Sequence, residues 1–209
     1  MKTLIAIPCM DMVHTAFMES LLCLRPAGEV AYKVTCSSLI YDARNMLAKT
    51  AVDGNFDRIL WLDSDMVFQP DLMQRLSADL DEGREFVTAL CFNRRNPVGP
   101  CIYKETGYNQ NGRELIPFAN KYLDYPENEI FEVKACGLAA AMMTTKLIKR
   151  IFAEYGAPFS PEPGFGEDLS FCVRCEASGI PVYCDSRIKV GHVGQIVITE
   201  QTYKEGVAL

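Results

Sequence analysis

The chain has 209 residues, 49% of them hydrophobic and 23% charged, with a formal net charge of −6. That size and apolar content suit one domain with a substantial core, and with Gly 14 and Pro 11 the composition excludes a collagen-like or low-complexity chain. Lys and Arg are scattered, apart from local pairs such as Arg94-Arg95, so the electrostatic footprint of a nucleic-acid-polymer binder is missing.

In chain order, Thr3 to Ile7 reads as a β-run ending at Pro8, and Thr15 to Leu24 has helical character until Pro26 and Gly28. Tyr32 to Cys36 reads as a second strand. Asp42 is expected to cap a helix with Ala43, Met46, Leu47 and Ala51 inward and Gly54 at its end. The run Arg58 to Leu62 reads as a buried parallel strand. Pro70 opens a helix with Leu72, Met73, Leu76 and Leu80 inward, and Phe86 to Leu90 forms another strand. This alternation predicts an α/β fold with a mainly parallel central sheet, right-handed crossovers and flanking helices.

After Cys91 the texture changes. Asn93 to Pro100 is rich in Pro, Gly and Arg, Asn111-Gly112 looks like a tight hairpin turn, and the region to Asn128 is expected to hold a smaller antiparallel insertion. Regular order resumes with Phe131 to Cys136, the run Leu138 to Thr144 and a helix from Lys146 to Tyr155. A Gly, Pro and Phe loop leads to Glu167-Asp168, whose helix is expected to turn Leu169, Cys172, Val173 and Ala177 to one side. Short strands at Pro181 to Cys184 and Ile188 to Val190 precede His192 and a tail. The economical organisation is a single domain, 1–209, with sub-regions 1–92 and 93–209.

The nine cysteines are odd in number. With no apolar run long enough for a signal core or a membrane span, they read as buried reduced thiols in a soluble cytoplasmic protein. Cys172 and Cys175 with Cys184 nearby lack an obvious fourth ligand for zinc.

Four places carry chemistry. Asp63 and Asp65 follow the buried strand directly, where open α/β sheets bind ligands. At i and i+2 of an extended segment they would share one face, and two carboxylates that close call for a cation between them. A hard divalent ion that also touches substrate phosphates would serve; a solvated turn is the plainer alternative. Arg44, expected in a first helical turn, combines a permanent cation with unpaired N–H groups that could hold phosphate oxygens, or is a surface arginine. His192, between Gly191 and Gly194, could complete the cation site, in which case Mn²⁺ is favoured because it tolerates nitrogen better than Mg²⁺; otherwise it is a satisfied core histidine. Glu167 and Asp168 either cap their helix or leave one carboxylate free as a general base.

The order of these motifs resembles nucleotide-sugar-dependent glycosyltransferases of the GT-A fold. The segments are Pro8 after the first strand, Asp42-Ala43-Arg44-Asn45, Ile59 to Met66 with the Asp-x-Asp element, the Gly137 strand, Gly166-Glu167-Asp168 and Gly191-His192. The resemblance covers about Thr3 to His192. It implies a metal-dependent transfer of sugar from a UDP- or GDP-sugar to an acceptor hydroxyl, with 1–92 binding the nucleotide and 93–209 the acceptor. Asp65 would ligate Mn²⁺ or Mg²⁺, Asp63 would reach the ribose or the ion's water shell, and His192 would complete coordination. Ile7 and Pro8 would cradle the nucleobase, with Ser64 in the same nucleotide-binding set and Arg44 on base or phosphate. Asp168, with Glu167 beside it, would deprotonate the acceptor in an inverting enzyme or bind it in a retaining one, and Gly137 would allow close backbone approach to the sugar. The tail after His192 would order over bound donor as a lid.

Two other functions fit parts of the sequence. Asp63 to Val67 also matches the first motif of haloacid-dehalogenase-like phosphohydrolases, although two βα units precede it here. A non-catalytic sugar-nucleotide-binding protein would keep the pocket without turnover.

Overall fold

The computed structural model describes residues 1–94, 97–194 and 197–205. In chain order the elements are β1 (Lys2–Cys9), α1 (Thr15–Cys23), β2 (Glu29–Cys36), α2 (Ile40–Asp53), β3 (Arg58–Leu62), β4 (Met66–Val67), α3 (Leu72–Asp81) and β5 (Phe86–Leu90). The second half contributes β6 (Ile102–Asn111), β7 (Glu114–Lys121), β8 (Ile130–Val133), β9 (Ala135–Cys136), β10 (Ala140–Thr144), α4 (Thr145–Tyr155) and α5 (Glu167–Ala177). It closes with β11 (Val182–Lys189), β12 (Gly191–Val193), β13 (Val197–Ile198) and α6 (Glu200–Lys204).

A seven-stranded sheet, ordered β2-β1-β3-β10-β5-β11-β8, forms the centre. β1 pairs in parallel with β2 and β3, and β5 with β11, but β10 enters antiparallel between β3 and β5 and β8 closes the far edge antiparallel. The sheet is therefore mixed, and the parallel run expected from β3 to β5 is interrupted by a strand from the second half of the chain. Sequence order alone gives no signal for that, because β10 is inserted from about eighty residues downstream.

Strand alternation divides the core into two layers. Leu4, Ala6, Ile59, Trp61, Ala141 and Met143 face one cluster, completed by Leu47, Ala48 and Ala51 of α2, Leu147, Ile148 and Ile151 of α4, and Phe171, Cys172 and Cys175 of α5. Ile5, Ile7, Leu60, Leu62, Ala140 and Met142 face the other, completed by Phe17 of α1 and Leu72, Met73, Leu76 and Leu80 of α3. Each central strand is covered on both faces, which is why Arg58 to Leu62 carries no polar alternation.

Several local expectations are corrected. α2 starts at Ile40 with Leu39 as an N-cap that makes no side-chain bond, so Asp42 lies inside the first turn and Arg44 beyond it. Arg44 and Ala48 take the inward face, while Met46 is exposed. On α5 the buried residues are Ser170, Phe171, Cys172, Arg174 and Cys175, not Val173 and Ala177. The inward Arg174 is held by the carbonyl of Pro158 at 2.7 Å and the carboxylate of Glu162 at 2.5 Å, so an ion pair outweighs the apolar pattern there. The two short strands expected after Pro181 are one continuous β11. β1 runs through Pro8 to Cys9; beyond Ala6 it pairs only with β2, an edge where proline is tolerated.

The antiparallel insertion is present as a three-stranded sheet, β7-β6-β9. Asn111 pairs with Glu114 across a two-residue turn in which Gly112 has φ +61°, a conformation that favours glycine. The tail after His192 is already folded where it is described: Ile198 is buried and Tyr203 lies 5.1 Å from Phe92, ring centre to ring centre. Residues 195–196 and 206–209 of the expected lid lie outside the described residues.

Candidate functional site

The site forms where β1 and β3 end. Asp63 donates its backbone N–H to the carbonyl of Ala139 at 2.9 Å, prolonging the antiparallel ladder of β3 and β10. Because β10 runs antiparallel, the segment from Gly137 to Ala140 arrives at the same edge. A second three-stranded sheet, β13-β12-β4, brings the late histidine there, since His192 pairs with Met66 and Val193 N–H donates to Asp65 O at 2.8 Å.

Asp63 and Asp65 both line one hollow but are not successive same-face positions of an extended strand. Residues 63–66 form a turn, with Met66 N–H donating to Asp63 O at 3.3 Å, so the period of an extended strand is lost. The two carboxylates face different partners. Asp63 Oδ1 accepts from Arg44 Nη2 at 2.8 Å, whereas Asp65 Oδ2 accepts from Arg94 Nη1 at 2.6 Å and faces His192 Nε2 at 3.2 Å.

Arg44 is buried and its Nε also donates to Glu167 Oε1 at 3.1 Å. Its guanidinium lies 5.5 Å from the ring of Trp61, which packs edge-on against Phe159 at 5.1 Å. The guanidinium thus ties α2, the end of β3 and the start of α5 together, and is not an exposed phosphate hook at a helix terminus. Its Nη1 is buried without a partner among the described residues. Burial opposes its charge, yet the carboxylates of Asp63 and Glu167 outweigh this and raise its pKa. Burial raises the pKa of Asp63, against the opposing effect of Arg44.

His192 Nδ1 lies 3.1 Å from the carbonyl of Phe92, which can only accept. With Nδ1 carrying the proton, a neutral ring would present the Nε2 lone pair to the Asp65 carboxylate, two acceptors 3.2 Å apart. A proton or another cation must therefore lie between them. Burial lowers the His192 pKa, but the hydrogen bond and charge of Asp65 prevail and raise it. For Asp65, burial is likewise outweighed by His192 and Arg94, and its pKa falls.

This pair fits a divalent ion in its donor chemistry: a carboxylate oxygen, an imidazole nitrogen and a carbonyl fixing the tautomer behind it. Asp63, the other carboxylate expected at the ion or its water shell, has its Oδ1 engaged by Arg44. Among the described residues, no group of three or more His, Cys, Asp and Glu side chains is gathered as a metal cage.

Asp168 lies in the first turn of α5, its Oδ1 accepting from Leu169 N–H at 2.8 Å. Burial first, and the charge of Glu167 second, push its pKa up to about 6. Glu167 is committed to Arg44, so the two neighbouring acids have different surroundings. Gly137 is close by: a Cβ there would lie 3.3 Å from Cys101 Cβ and 3.8 Å from Asp168 Oδ2. A hollow lined by Pro8, Cys9, Met10, Ser37, Ser38, Ile40, Asp63, Ser64 and Asp65 opens beside the tripeptide. Ser64 and Pro8 line it as expected positions. Ile7 does not; its side chain is buried in the α1/α3 core layer, because alternation turns it away from the edge.

Arg94 is the residue that the sequence reading missed. Its signal was the Arg94-Arg95 pair within a Pro- and Gly-rich loop; Arg95 lies outside the described residues.

The chain superposes on A197 from STIV with a TM-score of 0.63 over 93% of its own length and 86% of that protein, at 20% identity. On TarS 1–349 from S. aureus the TM-score is 0.51 over 89% of this chain and 60% of that one, at 17% identity. The chain shares its overall fold with these two structures. At these identities the likeness is one of fold alone, and the chain spans only 60% of the compared length of TarS. No protein-family model matches the sequence, nor does any curated protein. The mixed sheet and the second sheet β13-β12-β4 bring Asp63, Asp65 and His192 to one edge, and the start of α5 adds Asp168.

Proposed function

We propose that the protein is a glycosyltransferase that moves a sugar from a nucleoside diphosphate, UDP or GDP, to an acceptor hydroxyl with the help of a divalent cation, Mn²⁺ or Mg²⁺. The observation that carries this reading is the gathering of two separately tuned acidic groups at one sheet edge: Asp65 facing His192 at 3.2 Å, and Asp168 with a pKa near 6 beside Gly137. The glycosyltransferase-like fold shared with TarS and A197 supports it.

Asp65 Oδ2 and His192 Nε2 would hold the ion, with the donor diphosphate and water completing its shell. The ion, when bound, supplies positive charge to the departing diphosphate. Phe92 O keeps the His192 tautomer that frees Nε2. Pro8 and Ser64 line the hollow for the nucleoside, and Asp63, held by Arg44, closes its floor. Asp168 accepts the proton of the acceptor hydroxyl as the sugar bond forms; near neutrality it is ionised, yet basic enough to take that proton. Gly137 leaves the space that a side chain would take from the sugar.

The test is a thermal-shift panel of UDP and GDP with and without Mn²⁺. A ligand selective for the folded state must raise the midpoint, and the rise should require both components. Asp65→Ala should abolish it. Nucleotide binding with unchanged metal dependence in that variant would show the ion to sit elsewhere, and phosphorylation of Asp63 by a generic phosphomonoester would replace transfer with phosphohydrolase chemistry.

A further inference from the structure

Of the nine free cysteines, Cys9 and Cys36 differ from the rest. They are directly opposed in the parallel register of β1 and β2, at the carboxyl end of both strands, and their sulfurs lie 3.2 Å apart. Adjacent strands are about 4.8 Å apart, inside the range of Cα separations that a disulfide spans. Closing the bond needs the sulfurs to approach by about 1 Å, a change that side-chain rotation can supply. The other close pairs, Cys136 with Cys172 and Cys91 with Cys101, offer no exposed sulfur for attack, since Cys136, Cys172 and Cys91 are buried and Cys101 is half-buried. In the first pair Cys36 is exposed and Cys9 is buried. Cys9 also lines the hollow beside Ser64 and Asp65.

We infer that Cys9 and Cys36 form a redox-active dithiol which closes to a disulfide by exchange with a low-molecular-weight disulfide such as oxidised glutathione, pinning the ends of β1 and β2 at the wall of the hollow. The exchange runs in two steps. The Cys36 thiolate attacks one sulfur of the reagent, forming a mixed disulfide and releasing one glutathione thiolate. Cys9 then gives up its proton and attacks the Cys36 sulfur, and the second glutathione leaves. The protein loses two protons and two electrons, and the reagent is reduced to two thiols.

The order of attack follows from the surroundings. Burial first, then the hydrogen bond and charge of Cys36, push the Cys9 thiol up to about 11, so it is a poor first nucleophile. Once Cys36 is in a mixed disulfide, its hydrogen bond and charge no longer oppose ionisation of Cys9. The resolving sulfur is already in contact with the one it must attack.

The test is incubation of the intact protein with oxidised glutathione over a range of glutathione redox ratios, followed by intact-mass and peptide analysis. The expected product has lost two hydrogens, yields a peptide joining Cys9 to Cys36, and reverts with dithiothreitol. Cys9→Ser should instead stop at a glutathione adduct on Cys36, and Cys36→Ser should form neither product at Cys9. A persistent adduct on Cys36 in the unaltered protein, a bond from Cys36 to Cys23, or no reaction of Cys36 would overturn the inference. None of these readouts depends on nucleotide binding or transfer.

Discussion

Arg44 Nη2 donates to Asp63 Oδ1 at 2.8 Å from a fully buried position, and the same guanidinium holds Glu167 across 123 residues of sequence. One cation therefore sets the orientation of two acids that flank the candidate site, and its removal takes from both the partner they have among the described residues. Arg44→Met should destabilise the fold by about 3 kcal/mol, the range seen when one member of a buried pair is deleted. Arg44→Lys should lose less, because an ammonium reaches one carboxylate but lacks the fork that serves two. Urea unfolding of both variants checks the order; equal and negligible losses would show the pair to be replaceable by solvent.

Arg94 Nη1 occupies Asp65 Oδ2 at 2.6 Å with its side chain half exposed. A divalent ion at Asp65 and His192 must displace it. Arg94→Ala should therefore tighten Mn²⁺ binding without nucleotide by about two- to fivefold, the worth of an exposed ion pair. Titration calorimetry with Mn²⁺ measures this, and weaker binding in the variant would mean that Arg94 assists the ion.

Burial and Glu167 push the Asp168 carboxyl up to about 6. With Asp168 as the base of the proposed transfer, the rate should climb as pH rises through about 6 and then level. Asp168→Asn should keep the nucleotide thermal shift while lowering the turnover number by about 10²–10⁴-fold. A pH–rate profile whose ascending limb survives in Asp168→Asn would assign that limb to another group.

Asp79 is buried, and its pKa is pushed up to about 6, first by burial, then by the hydrogen bond and charge of Asp185, against Arg187. The folded state binds this proton more tightly than the unfolded chain does, so stability should fall as pH rises from about 4 to about 6. Asp79→Asn removes the repulsion and should be more stable at pH 7 by about 1–2 kcal/mol. Urea midpoints at the two ends of that window check the sign, and a variant as pH-dependent as the parent would place the titration elsewhere.

The sequence by itself determined most of the central elements and one edge of the site. Apolar periodicity fixed the central strands and the inward face of α3, since each buried side chain leaves its own local mark. Asp63 and Asp65 were legible because a turn directly after a buried strand must emerge at the sheet edge. The tertiary structure alone decided what each carboxylate faces. Insertion of β10 between β3 and β5 brings Gly137 to that edge, pairing of β12 with β4 delivers His192 to Asp65 across 127 residues, and Arg44 turns inward. These are non-local pairings, whose partners leave no trace in the spacing of neighbouring residues. An arginine reads the same in a sequence whether it meets water or two buried acids.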